Sequence, residues 1–489
     1  MSEILTKPPL LDATGQEMVN AILAVAGALG ADASGAIKHF SEMRQLVRLG
    51  LLPKYVKVGD LIAVSKESGI SATVTGSVTA ATVTEDTFLA RAGSAETHAY
   101  EFLFDGAAWH LEGEPAELAD WGVSITGTPA EGDAVVVHVQ AGVVYWEAAD
   151  HDYDVPMDAD RTHSFTMISR DILSYGTIPF SSPQALKAIA ADEYPNGLPA
   201  GTYHITLDHG AYNAGTTQDG TYQFTTTQPV PVGGKIRHTL MGAYRSDSDY
   251  SKARLLTGTF ITYDADYNII ESGLVTTEGS EGASLGTVTA ETKSYMVGSH
   301  LNSTRRQANG SNRAAHSAQR KWLRSSAAGA ASGQIASWWT ASDEFDMPVR
   351  TTLPGFLHGM DPDFVACIGE VRKRTYLHAW DQGSAAYEDT AETVFQVSMT
   401  ELGFGNNSNV AECSPKADGT INRSGPYALY DGATNSDRIK RQNGTARYYF
   451  FRSAHPSYSG SVRYVGPDGA LSGNDANFSR GVVAGLCFT

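Results

Sequence analysis

Cysteine is nearly missing from this chain: Cys367, Cys413 and Cys487 are the three among 489 residues, widely spaced and odd in number. That excludes a disulfide framework and a paired zinc motif, and leaves buried, inert thiols as the plainer reading. Positive charge is also short. Lys and Arg total 36 against 54 Asp and Glu, a formal charge of −18, so phosphate backbones and anionic bilayers are repelled at long range and nucleic acid is not expected as a partner. No stretch approaches the roughly 18 uninterrupted apolar residues of a membrane helix, and residues 1–16 lack a basic region followed by an apolar core. Neither membrane insertion nor a signal peptide is expected.

Catalytic signatures are scarce. There is no H-E-x-x-H and no phosphate loop, and His209, His358 and His378 stand isolated. No catalytic residue is assigned, and an enzyme is not the expected reading. Glycan hydrolysis stays as an alternative, because the separation of two carboxylates cannot be read from a sequence. Asp150, Asp152, Asp154, Asp158 and Asp160 crowd into DHDYDVPMDADRTH. The start suits an EF-hand, but Val155 stands where glycine is needed and Arg161 where a bidentate glutamate closes the loop. A solvated acidic loop is expected, with no metal or cofactor.

The last scarcity is local. Residues 448–489 contain no Lys, Glu, Gln, Met or Trp, although all five types occur upstream. These are the amino acids that no codon ending in a pyrimidine encodes. The pattern fits a segment diversified at adenines, and a short window can also produce it by chance.

What is present reads as an α+β chain of several domains. Thr14-x-x-Glu17 is a capping box, and Met18, Ile22, Val25 and Leu29 follow at helical spacing. Ile37, Phe40, Met43 and Val47 mark a second helix that stops at Gly50 and Pro53. Two short amphipathic helices must bury their stripes, either on the body of the protein or on symmetry mates. Residues 1–53 are therefore taken as an attachment or oligomerisation segment. In 54–143, a β-module, Tyr100, Phe102 and Phe104 alternate before the hairpin signal Asp105-Gly106. In 144–240, Tyr203, Ile205 and Leu207 share one strand face, and 222–227 and 235–240 are further strand candidates. The remaining body is 241–489.

The end of that body separates into a frame and fillings. Residues 448–452, 461–465 and 481–488 suit strands, and Pro467-Asp468-Gly469 suits a turn whose glycine adopts the left-handed conformation. Between them lie Ala454, His455, Ser457, Tyr458, Ser459 and Ser461, then Tyr464, then Ser472, Asn474, Asp475, Asn477 and Ser479. Tyr gives contact area at low entropy cost, and small polar residues adapt their hydrogen bonds. These twelve are the candidate ligand-binding residues, against an ordinary polar loop set as the plainer reading.

The motif YYFFRSAHPSYSGSVRYVGPDGALS, followed by SRGVVAGLCF, resembles the ending of C-type-lectin-like domains in phage and prophage tail or host-recognition proteins, among them the variable proteins of diversity-generating retroelements. Tyr449, Arg452, Ser453, Val462, Gly469, Gly481 and Val482 carry the resemblance; Phe450-Phe451 and Ala484 depart from it. Upstream, SNRAAHSAQRKWLRSSAA resembles that family's capped helix, and Trp338, Trp339, Phe356, Leu357, Phe364 and Ile368 resemble its following core segments. The resemblance implies a C-type-lectin-like fold for 241–489 and a virion protein, forming a homotrimer and touching other virion proteins. It would bind a bacterial cell-surface receptor, protein or glycan. A structural or decoration protein of the particle is the alternative.

Overall fold

Strands carry this fold. The computed structural model describes residues 39–92, 98–111, 113–208, 220–238, 258–277, 279–289 and 303–489. It has 37% strand and 12% helix, which corrects the expected α+β class to mostly β. The helix expected after Thr14 and the lone His209 lie outside the described residues. The second helix runs over Phe40–Arg48 and buries Met43, Leu46 and Val47. The resemblance-based helix shrinks to Ala318–Leu323, capped by Ser317 accepting from Arg320 N at 3.0 Å. Helices this short do not support themselves, and Ser325, Ser326 and Gly329 give nothing to extend this one. They do not make up a helical layer.

The chain forms two compact units. The first holds the described part of Met1–Ile168 with Leu357–Arg372 and Leu486–Thr489. Its spine pairs Leu61–Thr75 with Ala134–His151, antiparallel from Leu61 opposite Glu147 to Thr75 opposite Ala134, with a bulge between Glu67 and Gly69. His98–Phe104 pairs on the other edge and turns through Asp105 into Trp109–Leu111, as the Asp-Gly signal foretold. Phe88, Phe102, Val123, Val135 and Val137 fill the core beneath, with Trp121 tilted against Phe88 at 5.5 Å. Ala484–Phe488 lies in the same sheet between Phe165–Ser169 and Ile368–Gly369. The acidic window is not wholly solvated: Asp150 and Asp154 are buried. Asp154 Oδ2 accepts from Thr166 Oγ1 at 2.8 Å and from the Cys487 thiol at 3.2 Å.

The second unit comprises Ser169–Phe356 and Lys373–Gly485. Two four-stranded sheets share one core. One has the order Thr276–Thr277, Gly220–Thr226, Gly201–Asp208, Ala283–Thr289; the other Ile269–Leu274, Thr259–Tyr263, Lys235–His238, Lys187–Ala188. Ile205, Phe224, Ile236 and Phe260 meet between them. A third sheet, Leu471–Asp475, Ser461–Val465, Tyr449–Ala454 and Gly481–Val482, carries the candidate face.

His238 is buried in the shared core, edge-on to Tyr222 at 5.0 Å and Phe224 at 5.3 Å, with both ring nitrogens unpartnered among the described residues. Burial pushes its pKa down from 6.5 to about 3. The unfolded chain therefore takes up this proton first. Stability is complete above pH ~6.5 and is lost as the pH falls towards 3. His238→Phe is expected to remove a loss on the order of 2 kcal/mol between pH 7 and pH 5, read by urea unfolding at both values. Equal losses in variant and parent would assign the acid sensitivity elsewhere.

Candidate binding site

The frame of the terminal sheet is fixed from below. All six residues of Tyr449–Ala454 are buried. Arg452 sends one nitrogen to Glu401 Oε2 at 2.6 Å and the other to Glu401 Oε1 at 2.9 Å, and it also donates to the Gln396 and Glu412 carbonyls. Lys373 Nζ reaches the same Glu401 at 2.9 Å and the Tyr427 hydroxyl at 2.6 Å. Despite burial, Arg452 and Lys373 hold the Glu401 carboxyl well below the usual range. Glu412, also fully buried, goes the other way. Desolvation pushes it up to about 7 although Ser453 Oγ and Tyr376 N donate to it. The Arg-Ser pair at 452–453 thus serves the interior.

Above this frame the twelve candidate residues divide. Ala454, Ser459 and Ser461 are buried. Ser459 Oγ lies 3.0 Å from Ser303 Oγ, its carbonyl accepts from Asn312 N, and Ser461 Oγ donates to Asp475 at 3.1 Å. Asn477 donates to the Ala308 carbonyl at 3.2 Å, and the Ser479 carbonyl accepts from Gly176 N. His455, Ser457, Tyr458, Tyr464 and Asn474 are half-buried, and Ser472 is exposed.

Strand periodicity sets the two sides. Tyr464 pairs with Ser472 and Val462 with Asn474, so these share one side; Ser461, Arg463, Gly473 and Asp475 share the other. His455 lies on the second side, where a Cβ on Gly473 would come within 2.7 Å of its Cδ2. Glycine there lets the ring settle on the strand. Tyr458 stacks on His455 with centroids 4.8 Å apart, and the Arg305 guanidinium covers Tyr458 at 4.2 Å. Burial, then Arg463 and Arg305, push His455 down to about 4, so a neutral imidazole faces the stack at pH 7. On the first side Tyr448 meets Tyr464 edge-on at 5.4 Å, and Arg480 lies over Tyr448 at 4.6 Å. The sheet carries aromatic rings held against cations, with small polar neighbours beside them, a combination that suits noncovalent recognition.

Arg305, Asn312 and Arg463 belong to this geometry and went unread in the sequence. Asn312 donates to the Tyr458 carbonyl at 2.9 Å and so shapes the 455–458 turn, but its distance along the chain leaves no local signal. Two other clusters were also missed. His316, Asp343 and Asp346 bring ligand atoms within 4.8 Å of one another. Their carboxylates are already satisfied: Asp343 accepts from His316 and Phe345 N, and Asp346 from Gln184, Ser342 N and Lys321. Gly282-Ala283-Ser284-Leu285-Gly286 spells the G-x-S-x-G pattern, yet residues 283–286 run along the strand Ala283–Thr289, and Ser284 Oγ accepts from Gly286 N at 3.2 Å. It lacks the strand-to-helix turn that exposes a nucleophile. The tryptophans resolve as packing groups: Trp338 is buried and donates to the Leu353 carbonyl at 2.8 Å, and Trp339 lies edge-on to Tyr267.

Among the described residues no helix is long and apolar enough to cross a membrane. No curated protein and no solved structure matches the chain. Residues 287–487, which contain the terminal sheet and the buried Glu401 network, match the family model of a domain of unknown function, DUF6273.

Proposed function

We propose that this chain is a host-recognition protein of a phage or prophage particle, binding a bacterial cell-surface receptor through the His455, Tyr458 and Arg305 stack without chemistry at that face. One observation carries the reading: a rigid frame sits directly beneath an adaptable surface. Arg452 is clamped by groups from three other segments, and within a few residues the chain leaves His455, Ser457 and Tyr458 half-buried at the surface. Such preorganisation limits the ordering cost of binding. The missing Lys, Glu, Gln, Met and Trp over 448–489 supports a surface varied on a constant frame. Trimer formation on a virion belongs to the same reading, since several weak sites on one particle gain avidity.

The test uses the labelled full chain on a panel of bacterial strains, with flow cytometry and melting curves in parallel. Tyr458→Ala is expected to weaken binding at least ~30-fold, the effect of removing an aromatic hot spot, with little change in melting temperature. Unchanged binding together with unchanged melting would sink this face. Failure of the parent chain to bind any strain would favour a structural role in the particle.

A further inference from the structure

The second unit contains a cavity of ≈ 270 Å³ lined by Ser182, Pro183, Arg237, Tyr263, Tyr267, Met347, Pro348 and Arg350, none of them in the terminal sheet. Its back wall follows from strand alternation. Lys235–His238 pairs with Thr259–Tyr263, Lys235 opposite Tyr263 and Arg237 opposite Ile261, so these four side chains share one face. Ile236 and Phe260 go to the opposite face and the shared core. Ala185, Ile261, Tyr263, Tyr267 and Met347 pack together beside the cavity.

Its polar groups are underused by the protein. The Arg237 Nε is buried without a partner, and its guanidinium makes no hydrogen bond or ion pair among the described residues. The Tyr263 hydroxyl likewise has none. Arg350, an exposed lining residue, donates to the Gly333 and Tyr267 carbonyls at 2.9 and 3.2 Å. An unsatisfied guanidinium in a half-enclosed site calls for an acceptor, and a carboxylate matches its fork. Lys235 adds positive charge, its Nζ lying 4.8 Å from the Tyr267 ring centre. Glu344, Asp343 and Asp346 act on Lys235, and the two aspartates act also on Tyr267, offsetting that charge. The balance favours a monoanion over a phosphate dianion. Tyrosine and proline faces with Met347 supply flat apolar walls. The volume lies just under the range of about 300–1,000 Å³ for drug-sized ligands, which suits a single ring.

The geometry points to a binding site for an acidic monosaccharide unit, a hexuronate or a nonulosonate, with its carboxylate on Arg237 and Arg350 and its ring between the tyrosines. The site stands on its own residues, so it survives if the terminal face fails. Titration calorimetry of the full chain tests it with glucuronate, N-acetylneuraminate, glucose and inorganic phosphate as probes. Binding of at least one of the two acids, tenfold or more above glucose and phosphate, is expected. Arg237→Gln should abolish that preference, and Tyr263→Phe should weaken the acid severalfold, both with the parent's melting temperature. Equal binding of phosphate would reduce the site to a general anion hole and overturn the proposal. Binding of neither acid, or acid binding unchanged in Arg237→Gln, would overturn it outright. If Arg237→Gln melts early, Tyr263→Phe and the acid-against-glucose comparison on the parent decide.

Discussion

Replacing Glu401 by glutamine is expected to destabilise the second unit by about 3–5 kcal/mol, the cost of leaving a buried charge without its partner. Glu401 is fully buried and is the shared anion of two buried cations, Lys373 at 2.9 Å and Arg452 at 2.6 Å. A neutral amide preserves shape but cannot balance either. Against a typical domain stability of about 5–15 kcal/mol, that loss approaches unfolding. Hydrogen exchange at the amides of Tyr449–Ala454 reads it locally, without assuming that both units unfold together. A loss below about 1 kcal/mol would show that water reaches the cluster and screens it. Replacing all three residues by apolar side chains of similar volume should recover much of the stability, because the pair's desolvation cost disappears with its attraction.

Gly469→Ala is expected to cost roughly 3 kcal/mol, at the upper end of ordinary single substitutions. Gly469 has φ +78°, and a Cβ there would lie 1.7 Å from the Asn435 carbonyl oxygen and 2.4 Å from its carbon. Backbone atoms cannot swing aside as a side chain would. The turn it closes, with Gly466 N on the Ala470 carbonyl and Gly469 N on the Gly466 carbonyl, joins Ser461–Val465 to Leu471–Asp475. Gly444 provides the control. Its φ is +76° but nothing lies within 4 Å of its Cβ position, so alanine there meets conformational strain alone, about 1–2 kcal/mol. Denaturation midpoints of the two variants should differ by the collision; equal midpoints would mean that the turn relaxes away from Asn435.

The same turn marks what the sequence disclosed. Pro467-Asp468-Gly469 and Asp105-Gly106 were readable because turn chemistry is local, and Tyr203, Ile205 and Leu207 because a strand repeats every second residue. Helical spacing in the sequence overstates the helical share of the fold; the described helices are too short to form a layer. The site was half legible. Serine usually signals surface, yet Ser459 and Ser461 are buried with their hydroxyls hydrogen-bonded, and burial costs little once a polar group is satisfied. Tyr458 was readable by composition. Arg305 above it and Glu401 beneath its frame were not, since the chain separations involved leave no periodic trace. Asp154 reads as a solvated acid in the sequence because its partners, Thr166 and Cys487, come from elsewhere in the chain.

The strand Ala484–Phe488 stands between Phe165–Ser169 and Ile368–Gly369 in the sheet that begins with Leu61–Thr75. A ribosome working at about 5–20 residues/s would take tens of seconds to go from one of these neighbours to the strand that separates them. Through that interval the nascent chain carries an unpaired edge next to an apolar run, a state open to mispairing. The first unit can begin to form early in synthesis, but its sheet closes only after residue 488 has left the exit tunnel.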